Sequence, residues 1–176
     1  MFFFLLACNT APEASAPLVA PARPAAPAAV APAAAAARLT LCNTGETIRF
    51  SCSTAQGKVI SLCASADLSA SKGGLQYHFG KPGALELSYP AAPSRSDFTF
   101  LKQTHINSES YSVIFSQSGF TYTVFDQNTM GSATDHGAGV TVEKDKKIVA
   151  TILCAEGGKE TLDILGLQGI IPDAPH

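Results

Sequence analysis

No run of apolar residues in this 176-residue chain approaches the roughly 20 that a bilayer-crossing helix requires. No block of like charge occurs either. Charged residues make up 15% of the chain and the formal net charge is -2, so the basic face on which nucleic-acid binders rely is missing. Several signatures of catalysis are absent too. There is no GxSxG to mark a serine nucleophile, no HExxH or close histidine pair to hold a metal, and no CxxC for redox exchange. Gly73-Gly74 and Gly157-Gly158 are isolated pairs without the strand-to-helix context that cradles phosphate.

The four histidines, His78, His105, His136 and His176, stand on separate stretches. His78 sits in an alternating run and is expected at the surface. His136 beside Asp135 is the one fragment suited to metal or acid–base work, and spacing supplies no third partner. A carboxylate pair would need Asp97, Glu109 and Asp126 to converge. We therefore expect no enzyme, no metal site and no cofactor.

Five cysteines make an odd set, and in an exported protein the odd one requires its own explanation. Leu5-Leu6-Ala7-Cys8 supplies it. These residues close a short apolar run and match the lipobox of bacterial lipoproteins, so residues 1–8 read as the end of a signal peptide whose start lies upstream, with Cys8 lipidated. Asn9, rather than Asp, follows the cysteine, which points to the periplasmic face of the outer membrane. Cys42, Cys52, Cys63 and Cys154 are then an even set suited to two disulfides in an oxidising compartment. Three pairings are possible. We prefer Cys52 with Cys154, stapling the first strand to the last and closing the sheet on itself, and Cys42 with Cys63.

Residues 9–37 are almost wholly Ala and Pro. Proline blocks a continuous helix and alanine gives little to bury, so this stretch reads as a disordered, extended tether. At about 3.1 Å per residue, its span from Ala11 to Ala37 would reach roughly 80 Å. From residue 38 to 176 the texture changes to short alternating runs broken every eight to twelve positions by turn residues, the pattern of an all-β sandwich or barrel. Short β-type runs fall over 39–42, 47–52, 58–63, 75–79, 85–89, 98–101, 111–115, 120–125, 139–143 and 147–154. Residues 126–139 read as a long polar loop, and 160–168 as a short amphipathic helix. The aromatic residues mostly alternate with polar ones and read as core-facing. The whole is a small antiparallel β-barrel or closed sandwich of about eight strands.

Ser118-Gly119-Phe120-Thr121-Tyr122 has the form Ser-Gly-x-x-Tyr. It resembles the signature of the membrane-bound inhibitors of C-type lysozyme, lipoproteins with a small β-barrel and a cysteine bridge from an early strand to the last. That resemblance implies that Ser118, Gly119 and Tyr122 bind a lysozyme. The same residues also suit a plain hairpin turn leading into a strand. The runs at 57–63 and 75–83 are similar to uncharacterised exported proteins of Gram-negative bacteria, a resemblance that brings no activity. The expected function is a lipid-anchored, non-enzymatic binding module for a protein or cell-wall ligand, or a structural or assembly lipoprotein of the envelope. Loops would carry the contacts, those at 116–122 and 126–139 first.

Overall fold

The computed structural model describes residues 39–129 and 136–175. Cys8 and the Ala/Pro tether lie outside the described residues, as do Asp135 and His176.

The domain is all-β and antiparallel. Its strands are β1 (Thr47–Thr54), β2 (Val59–Ala64), β3 (Leu75–Lys81), β4 (Ala84–Ser94), β5 (Thr99–His105), β6 (Ser108–Gln117), β7 (Phe120–Thr129), β8 (His136–Lys144) and β9 (Lys147–Leu162). Every pairing joins antiparallel neighbours, in the order β4-β3-β2-β1-β9-β8-β7-β6-β5. First and last strands therefore lie side by side at the centre of the sheet. The 16 residues of β9 serve both halves: its first part pairs with β8 and its later part with β1.

Both disulfides are present in the preferred pairing, Cys42–Cys63 and Cys52–Cys154. The second joins β1 to β9 as expected. Closure, however, is not achieved, because β4 and β5 are edges and do not hydrogen-bond to each other. The physical reason is local. Pro90 and Pro93 leave β4 without two backbone donors, which confines such a strand to an edge. The edge of β5 is taken by the chain's own end: Phe100 N–H donates to Pro172 O at 2.7 Å and Ala174 N–H to Phe100 O at 2.7 Å. That parallel bridge covers an edge that would otherwise invite pairing with another chain.

The two halves of the sheet face each other across an aromatic core of Phe50, Tyr77, Phe98 and Phe100, each at most 2% exposed. Phe115 of β6 stacks on Tyr89 of β4 with ring centroids 5.0 Å apart and on Tyr122 of β7 at 4.8 Å. Such pairs contribute about 0.5–1.5 kcal/mol each beyond area burial, so side chains hold the seam that backbone bonds leave open.

Three expectations are corrected here. Residues 39–42 form no strand but a strap across the outer face of β1 and β2, where Leu41 N–H donates to Ser61 Oγ at 3.0 Å and Ser51 Oγ–H to Leu39 O at 2.9 Å. Covered on both faces, β2 is buried at all six positions. The polar loop at 126–139 is mostly strand, with Asp126 opposite Ala138 and Gln127 opposite Gly137. Gly139 lets β8 lie close against β9 on its other side: a Cβ at 139 would run into the Ile152 carbonyl oxygen. The helix at 160–168 reduces to a 3-10 turn, Leu165–Leu167, because β9 runs on to Leu162.

Candidate ligand-binding cleft

The two ends of the folded sheet differ. At one end Ile164, Leu167 and Ile171 of the C-terminal segment are buried against the core and plug the space between the halves. Asp163 fixes this plug. Its carboxylate accepts from Arg49 Nη1 at 2.7 Å and from the Gly166 N–H at 3.2 Å.

By register, the turns following β1, β3, β6 and β8 gather at the opposite end, which nothing plugs among the described residues. The last inward-facing side chains before those turns line a cleft of about 310 Å³, chiefly Tyr77, Phe79, Leu87, Phe120, Tyr122 and Ile152. A second recess of about 410 Å³ shares Phe79 and Ile152 with it and continues past Lys58 to Leu153. These volumes lie within the range of small-molecule sites. The lining is mostly apolar, with two phenols and the Glu86 carboxylate. Tyr77 and Tyr122 have ring centroids 6.3 Å apart, and burial, reinforced by Tyr122, pushes the Tyr77 hydroxyl's pKa far above its ordinary value. Tyr77 thus serves as a neutral hydroxyl.

Two lysines stand at the rim, each over an aromatic ring of the cleft. Lys58 Nζ lies 5.2 Å from the Phe79 centroid and is ion-paired to Glu86 at 2.7 Å. Lys144 Nζ lies 5.1 Å from the Phe120 centroid, and no ion pair of Lys144 occurs among the described residues.

Of the residues singled out in the sequence, Ser118 and Gly119 are exposed and form the two-residue turn between β6 and β7. Both have positive φ, 52° and 79°, the conformation required by the hairpin turn whose twist matches its strands. Tyr122 is half-buried, stacked on Phe115 and turned into the cleft. The structure thus brings Ser118 to the rim and Tyr122 to the wall of one opening. Of the flanking contributors, Phe79 reads as core-facing in the sequence, and Leu87, Val142 and Ile152 are not singled out there. Their one distinguishing signal is position, each being an inward residue near a turn.

Other candidates resolve differently. Comparison with family models, with curated proteins and with solved structures gave no match to this chain. His78 is not at the surface but 5% exposed, and neither ring nitrogen meets a partner among the described residues. The alternation of β3 holds, but the outer face of this half is itself covered. Burial lowers the His78 pKa, and Glu46 opposes the shift. Glu109 and Asp126 share one face, on either side of Tyr111, while Asp97 is exposed in the β4–β5 connection. Glu109 accepts from the Tyr111 hydroxyl at 2.7 Å and pairs with Lys102 at 3.3 Å. The Tyr111 bond, with Lys102 second, lowers the Glu109 pKa, so the group is an ion-paired strut rather than a proton donor. Sulfurs of Cys42 and Cys63 and a Glu46 carboxylate oxygen lie within 4.8 Å of one another, but the disulfide occupies both sulfurs.

Proposed function

We propose that the protein is a lipid-anchored, non-enzymatic binding module of the bacterial envelope, which takes its ligand at the open end of the folded sheet. One observation carries this reading: one end of the core is plugged by the chain's own Ile164, Leu167 and Ile171, whereas the other end presents an aromatic cleft. A scaffold with two disulfides and few irregular segments suits a module that holds a preformed site. Cys8 would attach it to the periplasmic face of the outer membrane. Incorporation of labelled palmitate, abolished by Cys8→Ala, tests the anchor.

The binding test is NMR of the isotope-labelled full chain. It is titrated separately with envelope lipid extract, soluble periplasmic protein and enzymatically digested peptidoglycan. Shifts at Phe79, Phe120, Tyr122 and Ile152 with one fraction, suppressed by Val142→Trp, are expected. Shifts confined to other faces, or none with any fraction, would overturn the reading.

The exposed Ser118-Gly119 tip beside the cleft favours a second reading, inhibition of a C-type lysozyme. Stoichiometric inhibition lost in Ser118→Ala with Tyr122→Phe supports it; no inhibition by folded protein removes it. Tyr122→Phe keeps the stack on Phe115, so a loss would report on the hydroxyl rather than on folding.

A further inference from the structure

We infer that the cleft takes an anionic amphiphile: one linear alkyl chain ending in a carboxylate or phosphate. The inference rests on the binding-module reading and names its ligand class. Shape is the first argument. The recesses of about 310 and 410 Å³ adjoin, sharing Phe79 and Ile152 in their walls, and Gln56, Lys58 and Thr151 make the larger one more polar, so an apolar tail fits the smaller and a polar head the larger or the rim. Facing sheets stand only about 10 Å apart, which admits one chain between them. A folded protein partner would meet only the rim.

Charge is the second argument. The chain as a whole is acidic, at -2. The turns and strand ends around this opening carry Lys58, Lys81, Lys144, Lys146 and Lys147 against Glu86, Glu143 and Asp145. Glu86 is committed to Lys58. Lys144 is exposed, and the Phe120 ring beneath it holds its ammonium at the lip of the cleft. An anionic head there would meet Lys144 while its chain ran inward past Phe120 and Tyr122 towards Ile152. A cationic head would meet repulsion at the same point. The one carboxylate in the wall, Glu86, is ion-paired to Lys58.

The experiment titrates the labelled full chain, below micellar concentrations, with octanoate, dodecanoate, dodecyl phosphate and dodecyltrimethylammonium. Dodecanoate is expected to bind roughly tenfold or more tightly than octanoate, since each buried methylene strengthens binding. The two anionic heads should both exceed the cationic one, and their ratio says whether a carboxylate or a phosphate is preferred. Lys144→Gln should weaken the anions by about three- to fivefold, as an exposed charge contact does, and leave the cation unweakened. The wild-type series needs no variant to fold. Equal affinity for the two head charges, indifference to chain length, or shifts away from Phe79, Tyr122 and Ile152 would each overturn the inference. If no amphiphile binds while an envelope fraction still shifts the cleft residues, the ligand class falls and the binding module stands. If neither shifts them, both fall.

Discussion

Removing the two disulfides one at a time should reveal how the stability of this sheet is divided. Cys42–Cys63 spans 21 residues and Cys52–Cys154 spans 102. If each bridge acts by restricting the unfolded chain, the loop-closure relation gives about 3.3 kcal/mol for the short loop and about 4.7 kcal/mol for the long one. Cavity costs are similar, because each bridge joins one fully buried sulfur residue, Cys63 or Cys52, to a half-buried one. Cys52→Ala with Cys154→Ala should therefore lower the unfolding free energy by about 1–2 kcal/mol more than Cys42→Ala with Cys63→Ala. Urea unfolding of the oxidised full chain, followed by circular dichroism and by tyrosine fluorescence, measures the difference provided the slopes agree. An equal or larger loss from the short bridge would refute the reasoning. It would mean that the strap at 39–42, with its bonds to Ser51 and Ser61, contributes more than chain entropy does.

Three further outcomes follow from particular contacts. Gly139→Ala would press a Cβ against the Ile152 carbonyl, and should cost about 1–3 kcal/mol in the same assay, whereas Gly83→Ala, with open space, tests only the positive φ of its turn. His78 has a folded pKa lowered by burial below the ordinary 6.5. Its contribution is thus intact above that pH and is lost as pH falls towards the lowered folded value, at up to about 1.4 kcal/mol per pH unit. His78→Gln should flatten the dependence between pH 5 and 7, and an unchanged slope would exclude His78 as its source. Ser118→Asn places a residue better suited to positive φ in the β6–β7 turn and should raise stability by about 0.5 kcal/mol; a loss in urea unfolding would mean that the Ser118 hydroxyl makes a contact beyond the turn.

Much of this architecture is legible in the sequence because its causes are local. Alternation over 75–79 and 120–125 marks parts of β3 and β7, and paired turn residues such as Ser118-Gly119 mark hairpins. Cysteine parity, with Cys8 set aside, leads to the two bridges observed. What local pattern does not carry is what lies over a surface. The face of β3 that carries His78 looks like a solvent face by alternation, but residues outside the local pattern cover that half of the sheet. The run at 126–139 looks like a loop because its residues are polar and small, while the missing side chain of Gly139 is what lets β8 lie close against β9. The cleft was illegible for a related reason. Phe79, Leu87 and Ile152 have the same alternation as the core, and only register shows that they sit where the opposing halves part.

The cleft itself follows from a mismatch of strand lengths. β9 has 16 residues and β1 has eight, and their pairing ends where Thr54 meets Cys154. From Lys147 to Leu153, β9 keeps β8 on one side but has lost β1 on the other, so the sheet splits there. The β1–β2 turn, with Ala55 and Gln56, stops short of the gap and forms its wall. At the other end the chain continues beyond β9 into Ile164, Leu167 and Ile171, which fill the corresponding space. A strand long enough to belong to both halves thus leaves an opening at its start and supplies the plug beyond its end. The Cys52–Cys154 bridge sits at the point of divergence, next to the last paired residue, Thr54. It therefore staples the sheet where its two halves separate, and its loss should widen the gap beside Phe79 and Ile152 before it disturbs the plug. Amide exchange in the Cys52→Ala, Cys154→Ala protein should rise first along 147–153, and equal or earlier exchange at Leu167 and Ile171 would contradict this account.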